Sequence, residues 1–460
     1  MNILLAIEWQ SVGLKVAQLL LSLSILVILH EFGHYITAKW FKCRVEKFYL
    51  FFDPWFSIFK RKVGETEYGI GWLPLGGYVK IAGMVDESMD KESLKQPPQP
   101  WEFRSKPAWQ RLIIMLGGVT VNVILAFVIY SMILMVWGER ITPANSLKYG
   151  IVFNDPIFKE LGFKDGDKIL AVDDKPVEDY SDILRKLIVV DKTVTVERNG
   201  KIEKLSMPVN LIGILVEKRK KSGGALISPR LPVIVMDVSD TSAAYIAGLR
   251  KSDRIVAING QTSNYFDEFE KQIKDKKKND NITLTVKRND SLISFPLSLS
   301  YDGKVGFMSP ATPEQYDSLG IYSYTIKKYS FAEAIPGGIR KSGEELSSYL
   351  TQFKKILSPE TGAYKGVGGF KAMGSVFSGT SWDWEHFWTI TALFSIILAF
   401  MNLLPIPALD GGHVLFTLYE MVSGRRPSDK FLEYAQIVGM VLLLGLMLYA
   451  NGNDWFGWGK

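Results

Sequence analysis

Four apolar segments constrain this 460-residue chain more than any other feature of its sequence. They cover about residues 14–38, 112–137, 387–404 and 431–450, and each is long enough to span a lipid bilayer. Because hydrocarbon offers no partner to backbone N–H and C=O groups, each segment is expected to be a helix. Hydrophobic residues make up 47% of the chain, and a long mixed-polarity stretch separates the second segment from the third. We therefore expect a four-span α-helical membrane protein with a large water-soluble insertion.

Charge and cysteine content exclude several classes of protein. The formal net charge is +6, and the basic residues are interspersed with acids, which argues against nucleic-acid binding. The single cysteine, Cys43, rules out an internal disulfide and a cysteine-rich metal site. No Gly-Lys pair is followed by Ser or Thr, so a phosphate-binding Walker loop is not expected.

Basic residues in the short loops predict the orientation in the membrane. Lysines and arginines are frequent between the first two spans and again at 425–430, so both loops are expected to be cytoplasmic. The two termini and the long insertion then lie on the outer side. The first span lacks a basic start with a small-residue cleavage site, and it is expected to be a retained anchor.

The insertion contains two related passages, "LGFKDGDKILAVDDKPV" and "AGLRKSDRIVAINGQTS". Apolar residues alternate in both and are bounded by Asp, Asn and Gly, a strand–turn–strand pattern. The second passage has Ser252 where the first has Gly166, and Asp173-Asp174 replaces Asn259-Gly260. Two copies predict two small β-rich domains in tandem.

The first span ends in "HEFGH", an unusual concentration of polar residues in an apolar helix. His30 and His34 lie one helical turn apart on the same face, so they can bind one zinc ion, with Glu31 beside it to activate water. The alternative is a polar patch in a helix bundle, with Glu31 hydrogen-bonded to the histidines.

A third metal ligand is expected in "NLLPIPALDGGH", which ends the third span. Pro405 and Pro407 stop the helix, and Asp410 offers an anionic oxygen. Asp410 as the N-cap of the following helix is the competing reading, and His413 is a minor alternative ligand. The remaining histidine, His386, is expected to be an interfacial residue.

"HEFGH" and "NLLPIPALDGG" together resemble the signatures of the site-2 protease family of intramembrane zinc metalloproteases. The β-rich passages resemble circularly permuted PDZ domains, and the order of elements is similar to the bacterial regulator of sigma-E protease branch. The resemblance implies one Zn²⁺ held by His30, His34 and Asp410, with Glu31 as the catalytic base. PDZ-like modules that only fill space are the alternative for the insertion.

The same resemblance implies a substrate-binding set: Asn402, Pro405, Pro407, Gly71, Gly76, Gly118 and Asn122. Gly118 and Asn122 match a family pattern in the second span, although Val119 stands where many relatives have proline. The stretch "TEYGIGWLPLGGYVKIAGM" resembles a membrane-re-entrant β-hairpin, in which Gly69, Gly71, Gly76 and Gly77 suit tight turns. A plain cytoplasmic hairpin is the alternative.

The predicted organisation is 1–40 for the first span, 41–111 for a cytoplasmic loop with the hairpin, 112–138 for the second span, 139–225 and 226–312 for the PDZ-like domains, 313–384 for a linker with an amphipathic helix at 331–357, 385–424 for the third span with its Pro-Asp motif, and 425–460 for the fourth span and tail. The implied substrates are single-span membrane proteins, such as a pre-trimmed anti-sigma factor, or signal-peptide remnants. The implied location is the bacterial inner membrane, with the active site toward the cytoplasm. A non-catalytic PDZ-type adaptor and an ion transporter are the rival functions.

Overall fold

The computed structural model describes residues 2–84, 97–218, 225–277, 279–299 and 304–459. The chain divides into two compact units. The first contains Met1–Gly138, Lys328–Leu357 and Tyr364–Lys460, and the second contains Glu139–Lys327 and Ser358–Ala363. Each unit is described by itself below.

The α-helices of the described residues are, in chain order, α1 (Asn2–Trp40), α2 (Ala108–Val136), α3 (Pro156–Glu160), α4 (Ile183–Ile188), α5 (Leu211–Lys218), α6 (Ala243–Ala247), α7 (Phe266–Ile273), α8 (Pro313–Ser318), α9 (Phe331–Leu357), α10 (Phe370–Ser375), α11 (Trp384–Leu403), α12 (Asp410–Ser423) and α13 (Asp429–Phe456).

The strands are β1 (Val45–Val63), β2 (Thr66–Ile81), β3 (Glu139–Ile141), β4 (Ile151–Phe153), β5 (Lys168–Val172), β6 (Lys175–Pro176), β7 (Thr193–Arg198), β8 (Lys201–Ser206), β9 (Ile227–Pro229), β10 (Val233–Ile234), β11 (Arg254–Ile258), β12 (Gln261–Thr262), β13 (Asn281–Arg288), β14 (Ser291–Ser298) and β15 (Thr325–Lys327).

The first unit contains the four predicted spans, which are confirmed as helices long and apolar enough to cross a bilayer. They run over Trp9–Trp40, Ala108–Val136, Trp384–Leu403 and Lys430–Phe456. In the last of these, only 11% of the most apolar window is buried inside the protein, against 44% in the second. The second span is therefore the central helix of the unit, and the fourth is largely peripheral.

Spans α1 and α2 cross at glycines that bring their backbones into contact. A Cβ atom built on Gly33 would lie 2.3 Å from the carbonyl oxygen of Gly117, and one built on Gly117 would lie 2.5 Å from that of Gly33. Small residues at such crossings allow the close helix packing that is common in membranes. The crossing therefore holds the residue after Gly33 next to the residue after Gly117.

Hydrogen bonds donated by side chains also join α11 to the first two spans. The hydroxyls of Thr391 and Ser22 are 3.0 Å apart, and the Ser395 hydroxyl donates to the backbone oxygen of Asn122 at 2.8 Å. All four residues are fully buried. Since hydrocarbon provides no competing partner, such contacts set the register of the helices.

The predicted hairpin is present as strands β1 and β2. Irregularities in both long strands divide them into shorter segments, and these pair to form a small sheet. Residues 47–50 pair with 67–70 on one side and with 77–80 on the other, while 57–63 pair with 66–71. Among the described residues, segment 77–81 pairs on one side only, so it forms an edge of this small sheet.

The glycines of the hairpin permit close packing more than they form turns. Gly71 lies so near the backbone of β1 that an added Cβ would be 2.1 Å from the carbonyl oxygen of Phe52, and Gly69 lies against the Tyr49 ring. Of the four glycines expected in tight turns, only Gly76 has a left-handed backbone, with φ 142°. The turn expectation is wrong for the other three, because the β1–β2 turn is made at Gly64 instead.

The amphipathic helix expected at 331–357 is confirmed as α9. It packs on α2 through Gly337 and Gly338, where an added Cβ would be 2.9 Å from the Leu134 side chain and 2.2 Å from the Ser131 hydroxyl. Pro336 lies inside the helix just before this contact. The contact accounts for the two consecutive glycines in an otherwise regular helix.

The second unit is rich in β-strands, as expected between the second and third spans. Its two hydrophobic cores are separate, one built from residues between Ala144 and Ile227 and the other from residues between Val233 and Val305. One sheet has the order β6-β5-β7-β8, and the other has β10-β11-β13-β14 with β12 beside β11.

Each of the two sheets carries the same ion pair, between a strand arginine and a buried aspartate. Arg198 donates to both carboxylate oxygens of Asp167 at 2.8 and 2.7 Å, and Arg288 donates to those of Asp253 at 2.7 Å each. Both aspartates are at most 1% exposed. Bidentate geometry of this kind offsets part of the desolvation cost of a buried carboxylate.

The two passages also share their backbone turns despite the sequence differences. Asp173 and Asp174 have φ values of 49° and 61°, close to the 51° and 77° of Asn259 and Gly260. Ser252, which stands in place of Gly166, also adopts a left-handed conformation with φ 71°. The substitutions therefore leave the local fold unchanged.

Candidate metal centre and active site

Two helices bring together the three predicted metal ligands. His30 and His34 lie one turn apart near the end of α1, and their Nε2 atoms are 3.3 Å apart. Asp410 is the first residue of α12, immediately after the proline-rich break that ends α11. Its Oδ2 atom lies 3.2 Å from Nε2 of each histidine. Both histidines are buried, with 8% and 6% of their surfaces exposed.

This triangle of donor atoms fits a tetrahedral zinc ion. Ligands about 2.0–2.1 Å from a tetrahedral zinc are about 3.3–3.4 Å from one another, which matches the three observed separations. Asp410 Oδ2 is buried and accepts no hydrogen bond from the described residues. Three lone-pair-bearing atoms at this spacing repel one another unless a cation lies between them.

The Asp410 side chain does not act as the N-cap of the helix it begins. The N-cap position of α12 is Leu409, and no side chain caps the helix there. The N-cap alternative is therefore wrong, because the proline-rich break ends one residue earlier than that reading required. The carboxylate is consequently free to face the histidines.

The tautomer of His34 is set by a backbone contact. Its Nδ1 lies 2.9 Å from the carbonyl oxygen of Ile114 on α2. A carbonyl can only accept, so Nδ1 carries the proton and the Nε2 lone pair points to the site. Sequence reasoning missed Ile114, because a backbone acceptor on another helix leaves no signal in residue type.

His30 has a partner of the same kind in Asn122. The Asn122 amide is fully buried, its nitrogen lies 3.1 Å from His30 Nδ1, and its oxygen has no partner among the described residues. Turning the amide by 180° places the oxygen against a protonated Nδ1, where it can accept a hydrogen bond. In that arrangement the His30 Nε2 lone pair also faces Asp410.

The space between the two imidazoles exists because residue 118 has no side chain. A Cβ on Gly118 would lie 2.4 Å from His34 Nε2 and 2.6 Å from His30 Cε1. The structure thus places Gly118 and Asn122 against the metal ligands. Their predicted contact with substrate remains a prediction.

Glu31 lies between the metal ligands and the hairpin. Its carboxylate lies beside the backbone N–H of Val79 in the edge segment 77–81. The backbone of Gly77 comes so close that an added Cβ would be 3.3 Å from Glu31 Cγ and 2.7 Å from the Val27 side chain. The edge segment therefore lies directly beside the predicted base.

A cavity of about 860 Å³ opens beside these residues. Its walls come from α1, the hairpin, α11, the 408–413 segment and α13, and they include Glu31, Gly76, Asn402 and Asp410. The Asn402 amide nitrogen lies 3.3 Å from His30 Nε2, so this side chain adjoins the metal position. A cavity of this size admits an extended peptide segment next to the metal ligands.

The other predicted substrate-binding residues do not line this cavity within the described part of the chain. Gly71 lies against Phe52, and Pro407 lies against Gly439 of α13, while Pro405 is exposed. His413 borders the cavity but does not belong to the three-ligand group. His386 instead contacts the backbone oxygen of Val376 at 2.7 Å.

Gln436 was missed by the sequence analysis. It is 6% exposed in the peripheral helix α13, and its side-chain oxygen accepts from the backbone N–H of Ala408 at 3.2 Å. The signal available in the sequence was an amide side chain within an apolar span, because polar side chains within membranes generally have a specific partner.

The sequence is similar to known proteins along nearly its whole length. The profile of peptidase family M50 matches residues 18–446. A Vibrio cholerae protein named "Putative zinc metalloprotease" is 28% identical over 452 residues, which cover 95% of this chain and 97% of that protein. The regulator of sigma-E protease RseP of Escherichia coli is 28% identical over 469 residues, covering 95% and 97%, and its Salmonella typhimurium counterpart is 27% identical over 469 residues, covering 98% and 99%.

Four apolar helices around two imidazoles, a carboxylate and an adjoining glutamate define a membrane-embedded zinc metalloprotease. The family match extends over most of the chain and includes both sequence motifs that supply these residues. The chain therefore belongs to peptidase family M50.

Proposed function

We propose that this zinc metalloprotease cleaves single-span membrane proteins within the bilayer of the bacterial inner membrane. The observation that carries the proposal is the position of the ligand group. His30, His34 and Asp410 meet beside an apolar span, next to a cavity of about 860 Å³ that also contains Glu31. Water and peptide can therefore reach these side chains although the surrounding helices are apolar.

The chain's own residues have distinct tasks in this reaction. When bound, zinc polarises the peptide carbonyl and makes its water more acidic. His30, His34 and Asp410 hold the ion, while Glu31 accepts the proton of the attacking water and returns it to the leaving amine nitrogen. The Val79 N–H, which lies beside the Glu31 carboxylate, would help to orient it toward the cavity.

The hairpin edge offers a place for the substrate backbone. A membrane helix hides its carbonyl groups in internal hydrogen bonds, so it must unwind before hydrolysis. Segment 77–81 is an edge that borders the cavity, and an extended peptide can add to such an edge through backbone hydrogen bonds. Asn402, beside His30, is positioned to bind a released backbone group.

The names of the relatives suggest the substrate class. A regulator of sigma-E acts on a signalling pathway, and the matching class is an anti-sigma factor already shortened outside the membrane. Signal-peptide remnants, which are also single membrane helices, form the second class. Both leave only a short polar segment outside the bilayer.

The PDZ-like domains of the second unit are proposed to exclude substrates with bulky outer domains. Two separate cores with matching strand orders and matching Asp–Arg pairs support a tandem of similar domains. In the proposed orientation the two termini and this unit face the periplasm, and the active site is toward the cytoplasm. Reporter fusions at either terminus and at residue 300 would reveal a different orientation.

Co-expression with a panel of single-span membrane proteins tests the proposed activity. A substrate should shorten with the wild-type chain and remain intact with Glu31→Gln, which removes the base and keeps the three ligands. Glu65→Gln, the same substitution at an exposed hairpin position, is the matched control and should cleave normally. If Glu31→Gln cleaves as fast as the wild type, the proposed mechanism is wrong.

Deletion of residues 145–310 tests the exclusion of bulky substrates separately. The shortened chain should cleave full-length substrates that the complete chain leaves intact. Metal content provides the control for folding, since the ligand group belongs entirely to the first unit. Full-length substrates that remain uncut by a metal-loaded deletion variant would rule the filter out.

A further inference from the structure

The segment that carries Asp410 has an uncommon backbone conformation. Ala408, two residues before the ligand, has φ 84°, a left-handed value that residues with a Cβ rarely adopt. A conformation of this kind persists only where surrounding contacts hold it. The position of Asp410 therefore depends on whatever fixes Ala408.

The backbone hydrogen bonds of this segment show what fixes it. Residues 405–409 include two prolines and hence three backbone N–H groups. Those of Ile406 and Leu409 donate locally, to the carbonyl oxygens of Leu404 and Ile406. The third, of Ala408, donates to the side-chain oxygen of Gln436 on α13 at 3.2 Å.

The helix that carries Gln436 also touches the segment through its backbone. Gly439 lies one turn later on the same face, and an added Cβ there would be 1.5 Å from the carbonyl oxygen of Pro407. Tyr434 and Val438 point away from the protein, at 70% and 65% exposure, whereas Gln436 is 6% exposed. The fourth span, otherwise peripheral, thus has one polar side chain directed at the metal-binding segment.

We propose that Gln436 is a positioning residue for the metal centre. By accepting the Ala408 N–H it holds the left-handed turn, and the turn places Asp410 Oδ2 3.2 Å from both imidazoles. An apolar side chain at 436 would leave the Ala408 N–H without its protein acceptor, and a mobile water from the adjoining cavity would not hold the turn in one position. The segment would then relax, and the carboxylate would move relative to His30 and His34.

Metal affinity of the purified full-length chain tests this role without reference to proteolysis. In Gln436→Leu we expect Zn²⁺ affinity, measured by chelator competition, to fall about 10- to 100-fold, the usual effect of removing a group that orients a ligand. The absorption bands of bound Co²⁺, which report ligand geometry, should change as well. Gln436→Glu keeps an acceptor oxygen and should restore the wild-type spectrum and affinity.

A matched control separates positioning from general packing. Gln18 is fully buried on α1, and its side chain donates to the backbone oxygen of Ser378 at 2.8 Å. Gln18→Leu therefore removes a comparable interhelical hydrogen bond and should leave zinc affinity and the Co²⁺ spectrum unchanged. Equal affinity losses in both leucine variants would assign the effect to packing and overturn the proposal.

The inference rests on the ligand set proposed above, and the experiment distinguishes the two. His34→Ala establishes the value for a broken site. If the wild type and His34→Ala bind zinc equally, the ligand set itself is wrong. If His34→Ala loses zinc while Gln436→Leu binds it as the wild type does, only the role of Gln436 is refuted.

Discussion

Gly118→Ala is the smallest change that should dismantle the metal centre. The added methyl group would lie 2.4 Å from His34 Nε2 and 2.6 Å from His30 Cε1. Ordinary contacts of this type are about 3.5 Å or longer, so one ring must move by about 1 Å. Zinc–ligand distances tolerate only about 0.2 Å, so at least one imidazole can no longer bind the ion.

The expected result is a loss of zinc affinity of at least about 100-fold, equivalent to about 2.7 kcal/mol. The measurement is chelator competition on the purified chain, with thermal unfolding of the metal-free protein alongside. Alanine forms helix better than glycine by about 1 kcal/mol, so an effect on the helix alone would stabilise the protein. A loss of zinc affinity would therefore be opposite in direction to the gain in stability expected from the effect on the helix alone.

Gly445→Ala is the matched control for this experiment. Gly445 lies in the fourth span, and an added Cβ there meets no atom within 4 Å. This variant should bind zinc as the wild type does. Gly118→Ala with wild-type zinc affinity would show that the imidazoles do not occupy the positions described.

Five further outcomes are expected. Chelation of zinc should abolish proteolysis, and added Zn²⁺ should restore it; activity that survives complete metal removal would contradict the mechanism. Asn122→Leu should lower zinc affinity about 10- to 100-fold, because His30 Nδ1 loses its hydrogen-bond partner. Gly77→Val should bind zinc normally and have a lower kcat, because the valine side chain displaces the hairpin edge from Val27. Asp167→Ala should destabilise the second unit by about 1–3 kcal/mol in thermal unfolding, since it removes the two hydrogen bonds that Arg198 donates to the buried carboxylate while Arg198 keeps Glu203 as a partner, and zinc affinity should stay unchanged. Burial raises the pKa of Tyr180 from 10.0 to about 12. The stability gained from keeping this hydroxyl protonated in the folded state is therefore complete below pH 10 and is lost as the pH rises to about 12. Tyr180→Phe should remove this contribution to alkaline destabilisation.

The features that sequence reasoning predicts correctly are those that depend on the spacing of residues close together in the chain. Helical periodicity places His30 and His34 on one face, and the length of the apolar segments identifies the spans. The prolines after Leu404 locate the break that carries Asp410. In each case the prediction requires only the residues within a few turns of one another.

The rest of the site depends on contacts between distant segments. Ile114 acts through its backbone oxygen and Val79 through its backbone N–H, so their side chains give no sign of either role. The hairpin glycines fit a turn and a close approach equally well by residue type, and only the pairing of the strands distinguishes them. Gln436 was detectable as a polar residue in a span, but its partner was not.

The separation of the ligands along the chain has a consequence for biosynthesis. Asn402 follows His30 by 372 residues, and Asp410 comes later still. At about 5–20 residues per second, a ribosome needs roughly 20–75 s to reach this region after the first motif. During that time the nascent chain has two imidazoles and a base in the membrane but no complete site. A truncated product that ends before the third span consequently lacks Asp410, so the complete ligand group arises only when synthesis is nearly finished.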